Sequence, residues 1–448
     1  MTMTNKTIRI GAGAGFSGDR IDPAVDLAER GELDYLVFEC LAERTIALAQ
    51  TAKIADPLLG YDLLLDARMR AVLPAAHANG VRIVSNMGAA NPLAAAAHVA
   101  KITNQLGLKD VKIAAVTGDD VLGLIRESKF PLLEHSGVAG DLGNRLISAN
   151  AYLGAEPIVQ ALGQGANVVI TGRTSDPALF LGPLIHEFGW GMSDWDRLGR
   201  GTAVGHLLEC AGQLSGGYFA DPGFKNVPDL AELGFPLAEV TADGSAIFTK
   251  LPGTGGRVTL RTCKEQLLYE IHDPTQYRTP DVIADFSSIR FEETAPDCIK
   301  MDGGSGFERP SHLKVSIGFN GGFIGEGQIS YAGSGATERA QLALEIVRAR
   351  LAKRKIVLKD VRYDLIGVNS VCATSIVSAV PGEVRARIAG RADNPDDAAA
   401  VGAEVEALYT NGPAGGGGVT RSVKKSTAIL STLIPRELVE PQVQFEVV

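Results

Sequence analysis

Short β-branched and leucine-rich runs recur through the first 190 residues, each followed by an Ala/Leu-rich stretch with helical spacing. The runs at 7–10, 34–38, 81–85, 111–116, 145–149 and 167–170 predict strands, and those at 41–53, 61–78, 92–106 and 157–162 predict helices. Such alternation predicts a parallel sheet with helices on both faces, a Rossmann-like α/β domain. After Trp190 the pattern changes: a glycine-studded helix at 202–214 leads to a Pro/Gly/Asp-rich segment at 218–236. Short β-like runs follow at 246–250, 257–261, 313–319 and 327–331, then a long helix at 336–353 and a strand at 361–369. This half predicts a mixed α+β domain, dividing the chain into 1–230 and 231–448.

A length of 448 residues exceeds one ordinary core and supports more than one domain. A net charge of −9 argues against nucleic acid as a partner, because such binding needs a basic face. No apolar stretch approaches the ~20 residues of a membrane span, and no secretory leader pattern is visible. Five cysteines, widely spaced and never C-x-x-C, fit free thiols in a cytoplasmic protein.

Polar residues cluster where the predicted strands end: Glu39, Asn86, Asp119, Asn150, Arg173 and the loop GAGAGFSGDR. In parallel α/β sheets ligands bind at the carboxyl ends of strands, so these residues are expected to line one crevice; helix capping is the alternative use of several of them. Gly13-Ala14-Gly15-Phe16-Ser17-Gly18 satisfies G-x-G-x-x-G, and Glu39 stands where a ribose-binding acid would be. A dinucleotide site, however, needs the glycines at a helix start, and Asp22-Pro23 places that start later. The loop therefore reads as an anion cradle of Gly13 and Gly15 amides and the Ser17 hydroxyl. The run NGPAGGGG, with Gly416 and Gly417, reads the same way.

Two segments carry catalytic candidates. In 201–214 the helical spacing collects His206, Glu209, Cys210 and Gln213 on one face, a base, an acid and a nucleophile within reach of each other. Gly201, Gly205 and Gly212 form a second face suited to close packing, and the alternative is a packed helix with a buried inert thiol. In NVVITGRTSDP a buried strand delivers Arg173 and Asp176 to its exit, either as a fork for a carboxylate or as a turn salt bridge. No ligand spacing suggests a metal.

These motifs, with DYLVFECLAERT, SNMGAANP, AVTGDD, ANAYLGAEP, GHLLECAGQLSGGYF and LKVSIGFNGGFIGEGQISYAG, run in order along the chain. Together they resemble the acyclic terpene utilisation (AtuA-type) family. The resemblance implies catabolism of branched, terpenoid-like carboxylic acids handled as CoA thioesters, with no agreed reaction or catalytic residue. It also implies a small ferredoxin-like partner, expected here as a separate polypeptide bound, or replaced by a second copy of the chain, at the second domain. The partly apolar tail at 443–448 is expected to be left exposed without it. Combined with the residues, the leading reading is a lyase or hydratase acting on such an acid or its CoA thioester, with no cofactor beyond CoA in the substrate. The alternatives are an NAD(P)-dependent oxidoreductase and a non-catalytic acyl-CoA-binding subunit.

Overall fold

In the computed structural model, which describes residues 6–372 and 381–448, the six expected N-terminal strands all form. They are β1 (Thr7–Ala14), β2 (Tyr35–Phe38), β3 (Arg82–Ser85), β4 (Lys112–Thr117), β5 (Leu146–Ala151) and β6 (Val168–Thr171). Five of them pair in parallel in the order β1-β2-β3-β6-β4. β2 and β6 are buried along their whole length, as continuous apolar strands covered on both sides should be. Between the strands lie α1 (Asp22–Arg30), α2 (Glu43–Ala55), α3 (Leu65–Ala78), α4 (Pro92–Gln105), α5 (Leu122–Arg126), α6 (Glu156–Gly163), α7 (Ala178–Phe188) and α8 (Trp195–Leu208). α1, α3 and α4 pack in succession, α6, α7 and α8 form a second succession, and both groups touch the sheet.

The change of texture after Trp190 does not end this sheet. β7 (Pro236–Thr241) pairs antiparallel with β1, and β8 (Ala246–Lys250) pairs with β7. The run at 257–261 is not a strand: Thr259 caps α9 (Leu260–Leu267) through a box with Thr262. β9 (Tyr277–Arg278) and β10 (Ile283–Asp285) form a small antiparallel sheet with β13 (Ser305–Phe307). β11 (Arg290–Ala295) and β12 (Cys298–Asp302) extend the large sheet beyond β8. The two runs expected at 313–319 and 327–331 are one strand, β14 (His312–Ala332), and β5 leaves the large sheet to pair with it.

Residues Phe319–Ala428 form a separate compact unit. Its sheet, in the order β15-β16-β14-β17, comprises β15 (Lys359–Ile366), β16 (Glu383–Ala392), part of β14, and β17 (Gly417–Pro435). α10 (Ala336–Lys353) and α11 (Pro395–Glu406) cover it over a core that includes Ile329, Leu344, Val347, Ile388 and Val401.

The chain returns to the first sheet in β18 (Gln442–Val447), which pairs antiparallel with β4. The tail is thus a tenth strand, with the Lys112 ammonium 4.4 Å from the Phe445 ring centre; its backbone is paired, while its side chains stay largely exposed, Val447 by 74 %. Because β7, β8, β12 and β18 all join the parallel core, the first unit is Met1–Gly318 with Ile429–Val448, and a division at residue 230 falls inside it. Among the described residues no helix is long and apolar enough to cross a membrane.

Candidate active site

At the end of β1 the chain turns through the glycine loop before α1 begins, past the glycines, as Asp22-Pro23 implied; Ile21, not Asp22, stands at the N-cap. The loop already holds an anion of its own. Gly15 N–H donates to Asp19 Oδ2 at 2.9 Å, and Arg20 N–H to Asp19 Oδ1 at 2.9 Å. The Ser17 hydroxyl donates to Asp62 at 2.5 Å, so it is not the spare donor the sequence suggested. Arg68, fully buried and paired with Asp62 at 3.3 Å, donates to the Ser17 and Asp19 carbonyls at 2.8 and 3.1 Å.

The glycines serve close approach instead. A Cβ on Gly13 would lie 2.6 Å from the Phe38 ring, and one on Gly15 would lie 2.5–2.8 Å from the Cys210 backbone. Gly15→Val is therefore expected to push the turn at Cys210 away and to cost about 1–3 kcal/mol, the usual cost of overpacking. Thermal denaturation checks this, and an unchanged melting temperature would contradict the close approach.

A cavity of about 700 Å³ opens beside the loop. It is lined by Gly15–Arg20 residues after β1, by Glu39 and Glu43 after β2, by Arg173 and Asp176 after β6, and by Glu209, Cys210 and Gln213 after α8. Except for the residues after α8, these follow the carboxyl ends of parallel strands. Glu39 is buried and accepts from Leu41 N–H at 2.8 Å and Asn86 Nδ2 at 2.9 Å. Asn86 in turn accepts from Cys40 N–H at 2.7 Å, so it orients Glu39 rather than facing the cavity. Asp119 and Asn150 form a layer beneath Arg173: Asp119 accepts from Asn150 Nδ2 and from Arg173 N–H, each at 2.9 Å. The Arg173 guanidinium donates to the Leu41 carbonyl and to Asp176, and stacks 4.2 Å from the Tyr152 ring centre.

Burial and crowding set the charge states. Burial, with the nearby Asp176 charge, raises Glu39 to about 8 against the pull of Arg173. Burial raises Asp176 although it is paired with Arg173, and it raises Asp119 to about 6. Burial would raise Glu43 too, but the Tyr152 hydroxyl at 2.5 Å and Lys314 at 3.1 Å prevail and hold it at about 2. Among the described residues, no three His, Cys, Asp or Glu side chains are grouped to hold a metal ion.

The helix expected over 202–214 stops at Leu208; Glu209 is its C-cap, and Ala211 takes a left-handed φ of 42° in a tight turn. Of the expected glycine face, Gly205 meets the Pro177 backbone and Gly201 the Leu181 and Trp190 side chains, while Gly212 lies past the helix end against Leu233 and Phe235. Of the four candidate residues, Glu209, Cys210 and Gln213 line the cavity together and His206 does not. His206 is buried between Tyr277 and Phe286, away from the cavity, with Nδ1 2.9 Å from Glu209 Oε1. Burial lowers His206 to about 4 and raises Glu209 well above the carboxylate range, aided by Asp176 and Glu270. Cys210 lines the cavity, but burial and Glu209 push its thiol up, away from a reactive thiolate. Cys210→Ala is accordingly expected to keep turnover within about threefold, well short of the loss of an acid–base group; a loss of about 10²-fold in a steady-state assay would restore the nucleophile.

Gly416 and Gly417 belong to the other unit, where Gly416 leaves room for Ile329 and Tyr331 and Gly417 begins β17. Sequence reasoning missed Glu43, Tyr152, Tyr269, Glu270 and Asp19 as cavity residues. Tyr152 carried a usable signal, lying two residues past the predicted strand exit Asn150, and Asp19 stands within the glycine loop itself.

The family model described as acyclic terpene utilisation family protein AtuA matches residues 8–445. Comparison with curated proteins and with solved structures gives no match.

Proposed function

The chain belongs to the acyclic terpene utilisation family, and we propose that it is a catabolic lyase or hydratase acting on a branched carboxylic acid or its CoA thioester. One observation carries this reading: two buried carboxyls, Glu39 and Glu209, line one cavity. Burial raises both, Glu39 to about 8 and Glu209 well above the carboxylate range, so that once Glu39 ionises while Glu209 keeps its proton the two form an acid–base pair. Glu39, once ionised, takes the proton from the carbon next to the carbonyl. His206 Nδ1 lies 2.9 Å from Glu209 Oε1, and Glu209 Oε2 has no partner; in this reading the neutral imidazole carries its proton on Nδ1, so the Glu209 proton sits on Oε2. That proton goes to the β-hydroxyl as its C–O bond breaks, releasing water and a double bond; hydration runs the same steps backwards. His206 acts here as a positioning residue for Glu209, and Arg173 and Asp176 hold the Glu39 side of the cavity.

The test is exchange of the α-proton of a branched acyl thioester with deuterium oxide, followed by mass spectrometry. Enzyme-dependent exchange supports the reading. Its absence, with no conversion of 3-hydroxyacyl or 2-enoyl thioesters, removes it.

A further inference from the structure

A second cavity of about 530 Å³ shares Glu43, Tyr152 and Asp176 with the first. Its other lining is of opposite character, with Lys314, Arg278 and His312. Arg278 donates to Gln276 Oε1 at 3.0 Å and, among the described residues, makes no ion pair. Lys314 Nζ reaches Glu43 Oε1 at 3.1 Å and lies 5.0 Å from the Tyr152 ring centre. The first cavity offers an anion less, because its cations, Arg20 and Arg173, are each paired with an aspartate, whereas Arg278 is not.

We propose that the second cavity is an anion subsite, which seats the carboxylate or phosphate-bearing end of the reactant while its reacting carbon lies against Glu39. This rests on the acid–base reading above. The shared residues make the two cavities compartments of one site, so a single molecule lies in both. Arg278 supplies the forked donor and Lys314 the point charge, the usual division of work in binding carboxylates and phosphates.

Isothermal titration of the full chain at low salt tests it, with two probes: 3-methylbutanoate and adenosine 3′,5′-bisphosphate. At least one is expected to bind, and Arg278→Gln with Lys314→Gln is expected to weaken it by about tenfold or more, as loss of charge-assisted bonds does. Binding of 3-methylbutanoate assigns the subsite to a carboxylate, and binding of the bisphosphate assigns it to phosphate. Arg278→Gln alone, a change at a side chain that among the described residues bonds Gln276 and makes no ion pair, keeps the test sound if the double variant does not fold. The proposal is overturned if neither probe binds, or if binding survives both substitutions. Glu39→Gln separates the two readings: probe affinity is expected to stay within about twofold, since Glu39 does not line this cavity. A Glu39→Gln protein that turns over normally while Arg278→Gln loses probe affinity removes the acid–base reading and leaves the subsite standing.

Discussion

Glu39→Gln is expected to lower turnover by about 10²- to 10⁴-fold, the range lost with a general base, and to leave the fold intact. Glutamine keeps the oxygen that accepts from Leu41 N–H and Asn86 Nδ2, so the cavity wall is preserved and only the titrating group is lost. In the wild type, activity is expected to rise with pH on a limb centred near 8, where Glu39 ionises; the variant's residual rate lacks that limb. Stability follows the same group with the opposite sign. The folded carboxyl titrates near 8 and the unfolded one near 4.5, so between these values the folded state holds more protons and stability falls as pH rises. The decline is on the order of a few kcal/mol, and Glu39→Gln is expected to flatten it. Full activity in the variant, or a limb unmoved by it, would sink the assignment.

Arg173→Met is expected to destabilise the protein by about 1–3 kcal/mol, because it leaves the buried Leu41 carbonyl without its donor and removes the partner of Asp176. The guanidinium is 1 % exposed, pairs with Asp176, and lowers the pKa values of Glu39 and Glu43. Its removal therefore also moves the Glu39 limb to higher pH. Arg173→Lys is expected to recover little, since an ammonium cannot at once reach the Leu41 carbonyl, reach Asp176 and stack on Tyr152. Chemical denaturation gives the first quantity and a pH–rate profile the second. Adding Asp176→Asn should restore part of the stability, because the two sites share one interaction. Strictly additive losses would show that Arg173 is not the partner of that carboxyl.

The parallel strands were legible because apolar runs of four to six residues punctuated by Gly, Asn and Asp have few other solutions. β5 was legible as a strand but not as one that leaves the sheet, since its partner Lys314 lies far along the chain. The same non-local pairing hid the roles of β7 and the tail at β1 and β4. In the site, Glu39, Arg173 and Asp176 could be found because strand ends focus ligands. The break after Leu208 could not, because no proline marks it and the Gly15 backbone that closely approaches Cys210 lies far away in sequence. Asp19 was invisible as the loop's own anion because a glycine loop advertises vacant amides whether or not a neighbour fills them.

That filled loop has a kinetic meaning. With its amides on Asp19, its carbonyls on Arg68 and its hydroxyl on Asp62, the segment from Gly15 to Arg20 is ordered before any reactant arrives. Little backbone entropy is then lost there on association, so arrival at this wall is expected to follow diffusion and charge, not the closing of a flap. The Gly15 amide belongs among the slowly exchanging protons of the free protein, and ligand binding leaves its protection as it was.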